Sequence, residues 1–266
     1  MRESRSAYGL ELICAHMRLS SACDYRRPAT HEELIMTTIP YRTALIVGAG
    51  SGISASVARG LATAGLKVAV AARNVDKLAS LAAETGAERF TVDASDPAAV
   101  AHLFEEVDAR LGVPDVVLYN AGARAHGPIA ELDPEAVRKA VEISAFGGFL
   151  VVQQAARRMI PRGAGAILLT GASASVKGYP HSAAFAMGKF ALRGLAQSTA
   201  RELGPKGIHV AHFVIDGGVR SARHPDERPD STLDPDAIAQ TYLEILRQPR
   251  SAWSLEIEMR PWVEMF

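Results

Sequence analysis

Residues 43–61 constrain the fold more than any other part of this sequence. They combine a short apolar run at 44–47 with Gly48, Gly50 and Gly52 and then a helical pattern of small and apolar residues. A short apolar run bounded by glycine is typical of a strand buried on both faces, and glycine lets the backbone turn sharply and approach a ligand. The segment therefore predicts a strand, a turn and a helix. The free N–H groups and the dipole at the start of that helix favour an anion such as a pyrophosphate.

The length and composition of the chain fit one α/β domain. The 266 residues are 48% hydrophobic and 22% charged, with a formal net charge of +0, which gives no reason to expect binding to nucleic acid or to an acidic membrane. No apolar run approaches the length of a membrane span. Cys14 and Cys23 both precede the body, and their spacing matches no metal-ligand pattern. We therefore expect no disulfide in the fold, no metal and a cytoplasmic location.

Residues 1–40 differ from the rest of the chain. They mix arginine with acidic residues and show no sustained apolar period, and the acidic residues argue against a transit peptide. The apolar stretch at 10–17 is too short and too interrupted for a secretory signal. We expect a poorly ordered extension, or a misassigned upstream start, because Met36 offers a natural start before the first strand. Residues 41–266 are expected to form the functional domain.

From Tyr41 onward, strand and helix patterns alternate. After 44–47, strands are predicted at 67–72, 89–92, 115–119, 166–169, 208–215 and 255–259. Helices are predicted at 75–85, at 96–111 with Asp96 as the cap, and at 134–159, 183–203 and 234–246. This alternation predicts a doubly wound parallel sheet with ligands at the carboxyl ends of its strands. The irregular segment 221–233 is either a substrate lid or a solvated connection.

Two motifs early in the body resemble the cofactor site of the short-chain dehydrogenase/reductase family. That family uses TGxxxGxG in its cofactor turn. Here Gly48 and Gly52 match, while Val47 replaces the threonine and Ser54 replaces the last glycine. The run Asn-Ala-Gly at 120–122 resembles the family's NAG motif below the adenine side.

Two further segments extend the resemblance over about residues 41–219. Asp93 and Ala94 resemble the site of the aspartate that hydrogen-bonds adenine. Residues 216–221 resemble the PGxVxT segment that holds the nicotinamide amide, with Asp216 in place of proline and Ser221 in place of threonine. The resemblance implies a single-domain Rossmann fold of the α/β class. Its doubly wound parallel sheet would have about seven strands, with helices on both faces and a nicotinamide dinucleotide bound.

The end of the second predicted strand indicates which cofactor is bound. An acidic residue there would bind a ribose 2′-hydroxyl, but this chain has Ala72 followed by Arg73, with Lys77 nearby. A guanidinium suits a 2′-phosphate, and a charge-assisted contact of roughly 1.5–3 kcal/mol is about ten- to a hundredfold in affinity. We therefore predict NADP(H). The predicted cofactor-binding residues are Gly48, Gly50, Ser51, Gly52, Ile53, Arg73, Asp93, Ala94, Asn120, Ala121, Gly122, Lys189, Gly217, Val219 and Ser221.

The catalytic motif departs from the family. Its YxxxK pair reads Phe185-Ala-Met-Gly-Lys189 here, and phenylalanine has no ionisable proton. By the family's pattern, Ser144 takes the place of the asparagine that supports a water relay. The usual separation from Phe185 places Ala172 at the serine position, with Ser173 beside it. Only Lys189, which in the family lowers the tyrosine pKa and binds the nicotinamide ribose, is plainly retained.

A proton donor other than tyrosine is needed if the protein is an enzyme, since general acid catalysis typically supplies about 10²–10⁴-fold. The candidates are Ser173, Tyr179, His181 and His126. Histidine suits proton transfer near neutral pH, yet His181 can equally be an exposed loop residue and Tyr179 a packing residue. Arg124 and His126 either line the substrate mouth or are solvated. The predicted catalytic set is Lys189, Ser173, Phe185, Ser144 and His181.

Two functions are open at this stage. The first is an NADP(H)-dependent oxidoreductase that transfers hydride to or from a small carbonyl, hydroxyl or activated C=C substrate with a non-standard catalytic set. The second is an NADP(H)-binding pseudoenzyme that acts as a scaffold or sensor. The family resemblance also suggests a homodimer or homotetramer formed through the predicted helices 134–159 and 183–203.

Overall fold

The computed structural model describes residues 38–222 and 224–264, and within them the chain forms a seven-stranded sheet. All neighbouring strands are parallel, in the order β3-β2-β1-β4-β5-β6-β7. This confirms the predicted doubly wound α/β sheet of about seven strands. The strands are β1 (Thr43–Val47), β2 (Lys67–Ala72), β3 (Glu88–Thr91), β4 (Val116–Tyr119), β5 (Gly165–Thr170), β6 (Ile208–Ile215) and β7 (Glu256–Met259).

Helices cover both faces of the sheet, because alternate strand residues point to opposite sides. Ala44 and Ile46 of β1 pack in one core with the first and last helices described, whereas Leu45 and Val47 pack in the other core. The helices are α1 (Ile53–Thr63), α2 (Ala79–Thr85), α3 (Pro97–Arg110), α4 (Pro134–Val141), α5 (Gly147–Met159), α6 (Ala183–Leu203) and α7 (Pro235–Arg247).

The predicted helix at 134–159 is interrupted. It consists of α4, a π-helical turn at Glu142–Phe146 and α5. The segment predicted as one helix at 75–85 likewise begins with a 3₁₀ turn at Asp76–Leu78 before α2. Both departures are changes of helical pitch, which the spacing of apolar residues does not reveal.

Asp96 caps α3 as predicted, and its carboxylate accepts hydrogen bonds from the backbone N–H groups of Ala98 and Ala99. The prediction for residues 1–40 concerns a segment outside the described residues, except for 38–40. In the part of the chain that is described, no helix has the length and hydropathy needed to cross a membrane.

Candidate active site

Two clefts open along the carboxyl ends of the strands and share Asn120 and Gly122 as walls. The first cleft, of about 420 Å³, lies over the glycine turn and the ends of β2 and β3. The second cleft, of about 640 Å³, lies beyond β4, at the ends of β5 and β6. The predicted cofactor residues in the first cleft are Gly48, Gly50, Ser51, Arg73, Asp93, Ala94, Asn120, Ala121 and Gly122. Those in the second are Ile53, Asn120, Gly122, Lys189, Gly217 and Val219.

The two remaining predicted cofactor residues line neither cleft. Gly52 is the N-cap of α1, between Ser51 of the first cleft and Ile53 of the second. Ser221 forms an isolated antiparallel β-bridge with His224, in which the Ser221 N–H donates to the carbonyl of His224, and Ser221 does not line the cleft. His224 itself lines the second cleft. The segment 221–233, predicted as a lid or a connection, therefore contributes a residue that the sequence did not single out.

The glycines of the turn serve two different purposes. Gly48 has φ +84°, and a Cβ there would overlap the backbone of Ala121, so the protein's own packing requires glycine. A Cβ at Gly50 or Gly52 would meet no protein atom within 4 Å. The backbone at these two positions therefore faces open space, and this fits a site where a ligand approaches the main chain closely.

Ser54 connects the glycine turn to the end of β4. Its hydroxyl donates to the carbonyl of Gly48 over 3.3 Å and accepts from the side-chain amide of Asn120 over 2.7 Å. Within the described residues no side chain caps α1 at Gly52, so the first N–H groups of that helix are left to a ligand or to water. In the sequence, Ser54 is notable only because it replaces the last glycine of the family motif. No spacing rule predicts its hydrogen bonds to Gly48 and Asn120.

Positive charge lies at the rim of the first cleft. Arg73 and Lys77 are both exposed, and among the described residues neither forms an ion pair with a carboxylate. Asp93 lines the same cleft. Hydrogen bonds from Ser95 lower the pKa of the Asp93 carboxyl, and the charge of Arg73 lowers it further. Asp93 is therefore ionised at neutral pH and acts as a hydrogen-bond acceptor in this cleft.

Lys189 is buried on α6 and reaches the floor of the second cleft. Its ammonium donates to the carbonyl of Thr170 over 2.7 Å. Burial and, to a smaller extent, the nearby charge of Arg124 lower the pKa of Lys189 to about 8. This ammonium can therefore release or take up a proton close to neutral pH.

Phe185 also lines the second cleft, and two cations lie near its ring. The guanidinium carbon of Arg124 is 4.1 Å from the centroid of its ring, and the Lys189 nitrogen is 5.8 Å from it. No polar atom stands at this position, where the family has its tyrosine. Ala172 lines the same cleft at the expected serine position, while its neighbour Ser173 begins a 3₁₀ turn and does not line it.

Ser144 lies in the π-helical turn and is fully buried. Its hydroxyl accepts a hydrogen bond from the N–H of Ala123 over 3.1 Å, so it holds the backbone just after the 120–122 motif. A Cβ on Gly122 would lie 3.6 Å from the Lys189 nitrogen and 3.8 Å from the Ser144 hydroxyl. Ser144 and Lys189 therefore both lie close to Gly122, although Ser144 does not itself line either cleft.

The predicted alternative proton donors lie elsewhere. Tyr179 and His181 line a third depression together with Gly127 and Ile129. The rings of His126 and His181 are 5.9 Å apart, and His181 has a left-handed backbone, with φ +62°. None of these groups lines the second cleft, so the structure does not bring His181 or Ser173 together with Lys189 and Phe185 there.

Comparison with known proteins agrees with this architecture. The family profile described as short chain dehydrogenase matches residues 42–231. D-threitol dehydrogenase of Mycolicibacterium smegmatis is 31% identical over 174 residues, which are 64% of this chain and 67% of that protein.

Two solved structures are similar over most of their length. A short-chain dehydrogenase from Rhodopseudomonas palustris is 38% identical, with a TM-score of 0.72 over 83% of this chain and 99% of that one. An alcohol dehydrogenase from the archaeon Thermococcus sibiricus, complexed with 5-hydroxy-NADP, is 26% identical, with a TM-score of 0.75 over 84% and 98%. This chain therefore belongs to the short chain dehydrogenase family.

Proposed function

We propose that this protein is an NADP(H)-dependent oxidoreductase with a non-standard catalytic set. It would act in the cytoplasm on a small carbonyl, hydroxyl or activated C=C substrate. The observation that carries the proposal is the pair of adjoining clefts that share Asn120 and Gly122. The open glycine turn and Arg73 line the first cleft, and Lys189 lines the second. The similar alcohol dehydrogenase from Thermococcus sibiricus, whose structure contains 5-hydroxy-NADP, supports the same cofactor.

The residues present fit this cofactor. The turn at 48–52 would hold the diphosphate, Asp93 the adenine, and Arg73 with Lys77 the 2′-phosphate. Lys189 would hold the nicotinamide ribose and residues 217–219 the amide, as the family resemblance implies. When bound, NADP(H) supplies or accepts the hydride.

The proton chemistry depends on the chain's own groups. Phe185 cannot give or take a proton, and Thr170, which lines the second cleft, shares a 2.9 Å hydrogen bond between its hydroxyl and that of Tyr242. The nitrogen of Lys189 is 5.8 Å from the centroid of the Phe185 ring, and its pKa suits proton exchange near neutral pH. We therefore expect weak turnover, limited by proton transfer.

A pseudoenzyme is the second candidate function. The ring of Phe185 replaces the reactive phenol and packs against Arg124, and this arrangement favours a protein that retained the nucleotide site and lost the chemistry. The two candidates predict the same cofactor affinity but different turnover.

The deciding experiment compares NADPH oxidation by wild type, Phe185→Tyr, and Phe185→Tyr with Ala172→Ser on a panel of aldehydes, ketones and enones. Phe190→Tyr is the matched control, because Phe190 lies on the same helix but is exposed outside the cleft. Measurable turnover in wild type supports the enzyme. Turnover that appears only in the Phe185→Tyr variants supports the pseudoenzyme. Failure of wild type to bind NADPH would contradict both.

A further inference from the structure

The second cleft carries positive charge that its own lining does not balance. Arg124 and Lys189 both contribute to its wall. Among the described residues that line it there is no aspartate or glutamate. Neither cation forms an ion pair with a carboxylate elsewhere in the described chain. Lys189 is buried and Arg124 is exposed at the wall of the cleft, and an anion beside the two cations would relieve their mutual repulsion.

The guanidinium of Arg124 lies over the aromatic ring of Phe185. Arg124 follows directly on the 120–122 motif, where Ser144 fixes the backbone at Ala123. Its guanidinium carbon then lies 4.1 Å from the centroid of the Phe185 ring. Stacking on an aromatic face fixes the plane of a guanidinium and leaves its N–H groups available at the edge. Those N–H groups suit a carboxylate, which a guanidinium binds through two parallel hydrogen bonds.

The lysine is affected by the same arrangement. The nitrogen of Lys189 is 5.8 Å from the centroid of the same ring, and the charge of Arg124 contributes to lowering its pKa to about 8. The two cations therefore influence one another directly. An anion beside Arg124 would relieve this repulsion.

We infer that the second cleft selects small substrates that carry a carboxylate, that Arg124 binds this carboxylate, and that Phe185 is a positioning residue for the guanidinium. The inference deepens the proposed function and rests on it for the reaction, but not for the binding of the anion. The cofactor's own anionic groups are assigned to the first cleft, at the glycine turn and Arg73, so they leave Arg124 for the substrate.

The test compares matched acids and esters as ligands. Benzoylformate and methyl benzoylformate form one pair, and levulinate and methyl levulinate form the other. Binding to the full-length protein is measured by calorimetry with and without NADPH, and NADPH oxidation is followed separately. The variants are Arg124→Gln, Arg124→Lys and Phe185→Leu. Arg157→Gln is the control, because Arg157 is an exposed arginine on α5 that does not line the cleft.

For wild type and Arg157→Gln we expect the acid of at least one pair to bind about tenfold or more tightly than its ester. Arg124→Gln should reduce that ratio to below about threefold. Arg124→Lys and Phe185→Leu should give intermediate ratios. The first variant keeps the charge but loses the two parallel N–H donors, and the second keeps an apolar side chain but loses the aromatic ring.

Equal binding of acid and ester by wild type in both pairs would overturn the inference, as would an acid preference that survives in Arg124→Gln. The proposed function fails in a different way. If the acids are preferred but NADPH does not bind, the anion site stands and the cofactor assignment falls. If NADPH binds but no acid is preferred, the cofactor assignment stands and the anion site is refuted.

Discussion

At the scale of single residues, Arg73 decides the expected choice between two cofactors. It follows β2 directly, lies on the rim of the first cleft beside Lys77, and has Ala72 before it where an acid would favour a ribose hydroxyl. We expect Arg73→Ala to weaken NADPH binding about ten- to a hundredfold, because one charge-assisted contact to the 2′-phosphate is lost. Binding of NADH should change by less than about threefold.

Fluorescence titration of both cofactors measures this effect. Arg59→Ala is the control, since Arg59 pairs with Glu84 and does not line the first cleft. Equal affinities of the wild-type protein for NADPH and NADH would contradict the role given to Arg73.

His212 makes stability depend on pH. It is fully buried on β6, its Nδ1 lies 3.1 Å from a Glu256 oxygen, and its Nε2 has no hydrogen-bond partner in the described residues. Burial lowers the pKa of His212 to about 4, against about 6.5 in an unfolded chain. Between these values the unfolded chain binds a proton that the folded chain does not, so stability is full above pH 6.5 and falls as the pH drops towards 4.

We expect His212→Leu to remove most of the fall in unfolding free energy between pH 6.5 and pH 4, which is on the order of 3 kcal/mol for this group. A smaller fall should persist, because burial also lowers the pKa of His209. Urea denaturation at several pH values gives the measurement. The exposed His102→Leu should retain the wild-type slope, and an unchanged slope in His212→Leu would refute the assignment.

At the scale of elements, apolar spacing located the strands and helices well but not their changes of pitch. The bounds of β2, β6 and α6 agree with the prediction, because each is a long apolar or periodic run with clear limits. The π-helical turn was missed because its cause is tertiary. Ser144 bonds to Ala123, and a Cβ on Gly147 would collide with Ala94 and Tyr119.

The candidate site likewise contains features that the sequence predicts and others that depend on tertiary packing. The glycine turn and the 120–122 motif line the first cleft, as predicted. They could be predicted because their residue types meet local requirements of the backbone. The sequence predicts Ser173 as a proton donor from its distance along the chain to Phe185, and His181 because histidine suits proton transfer near neutral pH. Both lie in the segment between β5 and α6, and neither lines the second cleft. Side-chain directions in such loops depend on packing that no spacing encodes.

The start of α3 offers a test of element stability. The Asp96 carboxylate bonds to two N–H groups in the first turn, with Pro97 at the first helical position. We expect Asp96→Ala to lower the unfolding free energy by about 1 kcal/mol and the melting temperature by about 2–4 °C. Glu105→Ala, an exposed change within the same helix, should stay within about 0.5 kcal/mol. Equal effects of the two substitutions would argue against the cap.

At the scale of the whole molecule, exposed apolar side chains suggest an interface between copies of this chain. Phe146 and Phe149 stack with ring centroids 6.0 Å apart, and Met187 and Phe190 are exposed on α6. We propose a homodimer or homotetramer that covers these residues. Phe149→Glu combined with Phe190→Glu should shift the mass measured by light scattering to that of the monomer. Ile129→Glu, at an exposed apolar residue outside this group, should not, and a monomeric wild type would contradict the proposal.

We also propose that the residues before Met36 contribute nothing to the fold or the cofactor site. The described strands and helices lie between Thr43 and Met259. A chain that starts at Met36 should keep its melting temperature within about 2 °C and its NADPH affinity within about twofold. Calorimetry and titration measure both, and a large loss of either would assign these residues a structural role.

The shared walls of the two clefts have a consequence for the order of binding. Asn120 and Gly122 face both spaces, so an occupant of one cleft forms part of the boundary of the other. If a ligand in the first cleft changes the affinity of the second cleft for its own ligand, the second ligand must change the affinity for the first by the same factor. Asn120 is itself tied to the glycine turn through Ser54. If the larger ligand completes this wall, the smaller ligand binds with full affinity only after the larger one is bound. The two ligands should then bind and dissociate in a fixed order.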